Sequence, residues 1–231
     1  GHDAAVWEAT TGPAAERQAL QQHLRQRYTS NVRWLDDQLA EIWSDLEEQD
    51  LLDDTLVVIW SDHGEQHFER GFQAHAFTLY REELDVLGLF WSQSLAPGVW
   101  RGPTHATDLV PTLLDLYGLE RPTTITGVPL GSADPERVRS SFSWGKAGVV
   151  QAVQQGTDKL HFGWGDPELA GWRAPAQGLH LHELQGDPRE QHDVMDPGSE
   201  RTQALWALLR PRVEAASALL PDDEVHWPEG L

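Results

Sequence analysis

Between Pro13 and about Asp50 the apolar positions fall at Leu20, Leu24, Tyr28, Trp34, Leu35, Leu39, Ile42, Trp43 and Leu46. Steps of three and four dominate, so the spacing predicts one long amphipathic helix, with an irregularity near Ser30-Asn31. Pro13 suits a first helical turn, and Asp50, Asp53 and Asp54 mark the exit. The run TLVVIW then has bulky and β-branched residues without alternation, the pattern of a parallel strand covered on both faces. Residues 61–82 are polar and rich in Gly, His and Glu, as a loop over a sheet would be. Val86–Phe90 predicts a second buried strand, and Thr107–Tyr117 a short helix that admits Pro111 only in its first turn and stops at Gly118. Beyond about residue 140 short strand-like runs (Gly148–Val153, Lys159–Phe162, Leu179–Leu184) precede a helix over Glu200–Leu219. An α/β domain over residues 1–140 followed by a small α+β subdomain over 141–231 is the organisation this order predicts.

The stretch LVVIWSDHGE is richer than a turn needs. In open α/β sheets ligands gather beyond the carboxyl ends of the strands. Asp62 and His63 leave a strand there, and Gly64 would let the chain bend both toward one point. A carboxylate beside a neutral imidazole suits a divalent cation: Ca²⁺ or Mg²⁺ by the oxygen, a wider choice by the nitrogen. The competing reading is a turn with an incidental histidine. His63 and His67 also share the four-residue spacing of helical zinc sites, but Gly64 directly after the first histidine argues against a helix. His75 lies in the same polar loop and is by itself a ligand, an acid or a solvated side chain. His105 and Asp108 precede the Leu-rich short helix, and Asp108 reads as its N-terminal cap. His161, His180, His182 and His192 show no ligand spacing. Arg70, Arg81 and Lys159 are the basic residues an anion could use, Lys159 sitting on a predicted strand.

Composition narrows the class of partner. Seventeen basic residues against 37 acidic ones leave a formal charge of −20. That disfavours nucleic acid and anionic lipid, both of which need clustered Lys and Arg. No apolar run approaches the ~20 residues of a membrane span. With no cysteine there is no disulfide frame, thiolate site or cysteine nucleophile in these 231 residues. The opening GHDAAVWEATTGP has neither an initiator Met nor the basic start and apolar middle of a signal peptide. The chain is therefore expected to be a piece of a longer protein.

Six stretches in order resemble the sulfatase family, within the alkaline-phosphatase-like superfamily. YTSNVRWLDDQLAEIWSDLEEQDLLDDTLVVIWSDHGE looks like the family's long helix, its "gl.dnT" turn and the strand ending in S-D-H-G-E. FERGFQAHAFTLYREELDVLGLF is similar to the loop and strand that follow. ATDLVPTLLDLYGL resembles "vDlvPTLLdlaG", and ITGVPLG the following "G.sL". GTDKLHF and LHELQGDPREQHDV look like "g.yKli" and "elYDLe.DP.E..N" of the C-terminal subdomain.

The resemblance implies a fold: part of an alkaline-phosphatase-like α/β sandwich, with a mixed, mostly parallel sheet and flanking helices, plus the small α+β subdomain. It implies that Asp62 and His63 ligate a divalent cation, Ca²⁺ first with Mg²⁺ or Mn²⁺ as alternatives. It places His75 where the family has a histidine or lysine against the sulfate group or leaving oxygen, a substrate-binding and catalytic role. The activity implied is hydrolysis of a small-molecule or carbohydrate sulfate ester. Phosphoesterase, phosphonate-ester hydrolase and phosphotransferase chemistry of the same superfamily is the first alternative, and a non-catalytic subunit or inactive fragment the second. An extracytoplasmic location follows from the resemblance only. Arg70 stands where the family has the histidine of an H-G pair, and Asp85 and Leu87 replace the Arg and Pro of R-V-P. The formylglycine motif C/S-x-P-x-R does not occur in this chain, which is expected to be inactive alone.

Overall fold

The computed structural model describes residues 9, 11–71, 73–76, 78–145, 148–165, 177–219, 225, 227, 228, 230 and 231. These fall into two compact units, one formed by the residues up to 76 together with 80–96, the other by 78, 79 and the residues from 97 onward.

In the first unit the helix predicted from periodicity, α1, is a single element, Ala14–Glu48. The irregularity expected at Ser30-Asn31 is absent: the helix continues through it, with the Thr29 and Ser30 hydroxyls donating to the carbonyls of Arg25 and Gln26 at 3.0 and 2.9 Å. The exit is a Schellman closure: the Leu51 amide donates to Leu46 at 2.9 Å and that of Asp50 to Glu47 at 3.1 Å. Asp50 takes the left-handed position with φ of 54°, which Asp tolerates better than most residues. Of the apolar stripe only Leu24 is buried, packed with Ala9, Phe68 and Leu20, and Trp43 meets Trp91 edge-on with centroids 4.3 Å apart. Trp34 and Ile42 remain 63% and 56% exposed.

Strand β1 (Val57–Trp60) follows, and here the expectation of a parallel strand fails. It pairs antiparallel with β4 (Gly88–Trp91), Val57 opposite Trp91 and Trp60 opposite Gly88, and it is half-buried throughout. An apolar run without alternation does not encode the direction of its neighbour, and the burial on both faces it suggested is not reached in these two strands. Gly88 is required by that neighbour: a Cβ there would stand 2.9 Å from the Trp60 ring. Between these strands lie a short hairpin, β2 (Gln66–His67) with β3 (Gln73–Ala74), and one helical turn, α2 (Arg81–Leu84).

The second unit contains α3 (Leu109–Leu116), entered through a 3-10 turn at Ala106–Asp108 and closed as predicted by Gly118 at φ 63°. A four-stranded antiparallel meander follows, β5 (Arg139–Gly145), β6 (Gly148–Gln155), β7 (Asp158–Trp164) and β8 (Gly178–Glu183). Helix α4 (Glu200–Leu219) lies on one face. There Val149, Val153, Leu160, Phe162, Trp164, Leu179 and Leu181 meet Leu205, Trp206, Leu209, Val213 and Ala216. β5 was not predicted: its RSSFSW sequence carries too few aliphatic residues to stand out from a loop. Leu209 is fully buried at the centre of this core. Leu209→Ala is expected to destabilise the protein by about 2–5 kcal/mol, read as a lower denaturant midpoint with an unchanged m-value.

Candidate active site

The site lies within the first unit, where β1 ends. The Ser61 amide donates to the Leu87 carbonyl at 3.0 Å while its hydroxyl accepts from the Leu87 amide at 2.9 Å, so the chain leaves the strand on a fixed heading. Gly64 comes next to α2: its amide donates to Glu83 at 2.8 Å, and a Cβ would stand 2.2 Å from the Glu82 carbonyl oxygen. Glycine is needed here for close approach rather than for an unusual φ.

Asp62 projects outward with its side chain 87% exposed, and its Oδ1 accepts the His63 amide at 3.0 Å. That amide holds the Asp62 carboxyl below its ordinary range. His63 Nδ1 lies 2.8 Å from the Gly64 carbonyl. A carbonyl can only accept, so Nδ1 carries the hydrogen and Nε2 presents its lone pair. Nε2 is 3.6 Å from Asp62 Oδ2. Two ligands at right angles around an ion about 2.4 Å from each stand roughly 3.4 Å apart. The pair therefore fits a divalent cation in donor type, spacing and tautomer, with Gly64 orienting the imidazole from behind.

His75 is brought to the same place from β3. Its ring lies 3.9 Å from that of His63, tilted by 33°, and its Nδ1 meets Glu65 Oε2 at 2.7 Å. Among the described residues, the potential ligand atoms of His63, Glu65 and His75 lie within 4.8 Å of one another. Glu65 escaped the sequence reading. It is the last letter of S-D-H-G-E, but its contact with His75 spans ten positions of irregular loop, for which no periodicity speaks.

The other candidates are engaged elsewhere. Arg70 stacks over Tyr80 at 3.8 Å and lies 3.4 Å from Glu82; Arg81 pairs with Asp85 at 2.6 Å. His67 packs edge-on against Tyr28, and burial lowers its proton affinity. In the second unit Lys159 forms a buried ion pair with Glu190 at 2.6 Å, a structural role, and His182 faces the His192 carbonyl at 3.0 Å. Asp108 does not cap α3 with its side chain as expected; it closes the preceding 3-10 turn instead, accepting from the amides of His105 and Val128 at 2.8 and 3.1 Å and from the Arg137 guanidinium.

The family itself is given by comparison with known proteins. The sulfatase family model matches residues 3–119, more than half of the 231 residues, and the chain belongs to the sulfatase family. A search of curated protein sequences finds no match. Among solved structures, BT4656 in complex with its substrate D-glucosamine-2-N,6-O-disulfate has a TM-score of 0.69 at 18% identity, over 91% of this chain and 43% of that one. BT1596, a 2-O GAG sulfatase, gives 0.65 at 19% identity, over 94% and 45%. The phosphonate monoester hydrolase SpPMH from Silicibacter pomeroyi gives 0.56 at 24% identity, over 79% and 38%. At these identities the likeness establishes the fold, an alkaline-phosphatase-like α/β architecture, and this chain spans less than half the length of each.

Proposed function

We propose that the full-length protein hydrolyses sulfate esters of a small molecule or carbohydrate in a reaction that depends on a divalent cation. Residues 1–140 would supply the C-terminal half of the catalytic domain and 141–231 the small subdomain. The formylglycine nucleophile would come from a portion of the catalytic domain outside this chain.

The observation that carries the reading is the Asp62–His63 pair, with an imidazole lone pair and a carboxylate oxygen 3.6 Å apart at a strand end and His75 stacked beside them. Asp62 and His63 would hold the cation, Ca²⁺ first and Mg²⁺ or Mn²⁺ as alternatives. Bound there, it supplies positive charge opposite the sulfate oxygens as the ester bond breaks. His75 supplies the second element. With Nδ1 committed to Glu65, Nε2 is the nitrogen left to meet an ester or sulfate oxygen and to hold or pass a proton there. The substrate of BT4656 and the GAG specificity of BT1596 support a sulfated sugar as the substrate class.

Phosphonate-ester hydrolysis is the second reading, favoured by the 24% identity to SpPMH. Full-length protein stripped of metal and reconstituted with Ca²⁺ is expected to turn over 4-nitrophenyl sulfate and a sulfated glucosamine faster, in kcat/KM, than a phosphonate monoester. Activity should disappear with chelator and return with Ca²⁺. A higher kcat/KM on the phosphonate ester would install the second reading. Turnover indifferent to metal removal would end the metal-dependent one.

A further inference from the structure

The loop that carries His75 is held in an unusual way. The β2–β3 register sets Gln66 opposite Ala74. The next pair outward is Glu65 and His75, which is why a carboxylate and an imidazole ten residues apart meet at 2.7 Å. The hairpin is itself anchored: Gln66 is fully buried and its amide donates to Glu83 at 2.7 Å. His75 is bracketed by two non-glycine residues in left-handed backbone, Ala74 at φ 125° and Ala76 at φ 68°. An alanine there crowds its own Cβ, and such conformations persist only where the surroundings over-determine them.

Building on the proposed function, we infer that Glu65 is a positioning residue for His75. In this arrangement Glu65 fixes the Nδ1–H tautomer and the ring direction, while the strained turn at Ala74 and Ala76 holds the imidazole against His63 instead of letting it relax into solvent. Glu65 then acts on the reaction only through His75. It is not a cation ligand, although its carboxylate lies within reach of the same space. The stacking at 3.9 Å favours this division of roles. Two rings tilted by only 33° do not aim their in-plane lone pairs at one ion, so a His63–Glu65–His75 metal cage would need a ring to turn out of the stack.

The test uses the full-length protein and has an arm that does not depend on activity. Nitrogen-15 NMR of the histidine rings should show His75 protonated at Nδ1 in the wild type, and a loss of that single tautomer in Glu65→Ala. A His75 ring that carries no proton on Nδ1 in the wild type overturns the inference whatever the enzyme hydrolyses. In kinetics with a sulfate ester, Glu65→Ala should lower kcat roughly 10- to 100-fold with KM within about twofold. Glu65→Gln, which keeps an acceptor for Nδ1–H, should recover much of that loss. Calorimetric Ca²⁺ affinity should be unchanged in Glu65→Ala; a loss parallel to kcat would make Glu65 a metal ligand and overturn the inference. Ala74→Gly should raise the melting temperature while lowering kcat, a pairing that a merely structural loop would not produce. If the wild type hydrolyses no ester while the tautomer result holds, the proposed function fails and the placement of His75 by Glu65 stands.

Discussion

Asp62→Ala in the full-length protein is expected to reduce sulfate-ester turnover on the order of 10³-fold or more, with His63→Ala comparable. Each would remove one of the two cation ligands proposed among the described residues, and an ion that positions and neutralises the transferring group is worth several kcal/mol of transition-state stabilisation. Asp62 is exposed, and its carboxylate meets only its own loop, the His63 amide at 3.0 Å and the His63 ring at 3.6 Å among the described residues, so its loss leaves packing untouched. The melting temperature without added cation should therefore stay near that of the wild type, while Ca²⁺ affinity measured by calorimetry falls. Asp62→Ala protein with wild-type turnover would remove the strand-end pair from the metal site. The affinity measurement distinguishes that outcome from an assay made with the wrong ester.

Asp108→Ala should have the largest effect on stability, about 3–5 kcal/mol by denaturant unfolding, with no direct role in the chemistry. The carboxylate is fully buried and accepts from two backbone amides and from both terminal nitrogens of Arg137. Removing it leaves a partly buried guanidinium and two amides without their acceptor. Burial alone would raise the carboxyl's proton affinity, but Arg137 and the amides of Val128 and His105 outweigh it and hold the group below the usual range. The unfolded chain therefore takes up this proton first on acidification. The stabilisation is fully present above about pH 4, and is lost as pH falls from there through the lowered folded value. In Asp108→Ala this component of the acid sensitivity should vanish. Arg137→Lys should lose stability as well, because an ammonium cannot supply the two parallel bonds of the fork.

Much of the molecule was legible one element at a time. Helix α1 follows from three- and four-residue apolar steps, α4 from Leu205, Leu208, Leu209 and Val213 on one face, and the end of α3 from Gly118. These are local signals, set by side-chain direction and by the φ a helix exit needs. Asp62 and His63 were legible for the same reason: two adjacent donors after an apolar run need no distant partner to be noticed. The antiparallel pairing of β1 with β4 was not, since an apolar run without alternation does not carry direction. β5 was missed because serine dominates it and its strand state depends on β6 alongside.

The sequence by itself therefore determined the long helices, most of the strands, the family resemblance and the strand-end pair, each of which depends on residues close together in the chain. Tertiary structure decided what those residues meet. Hairpin register brought Glu65 to His75, close approach of α2 made Gly64 obligatory, and burial beside Arg137 made Asp108, expected only as a helix cap, the centre of a hydrogen-bond network instead. Contacts of this kind join positions ten or more residues apart, and the order of residues along the chain leaves that distance open until the backbone folds.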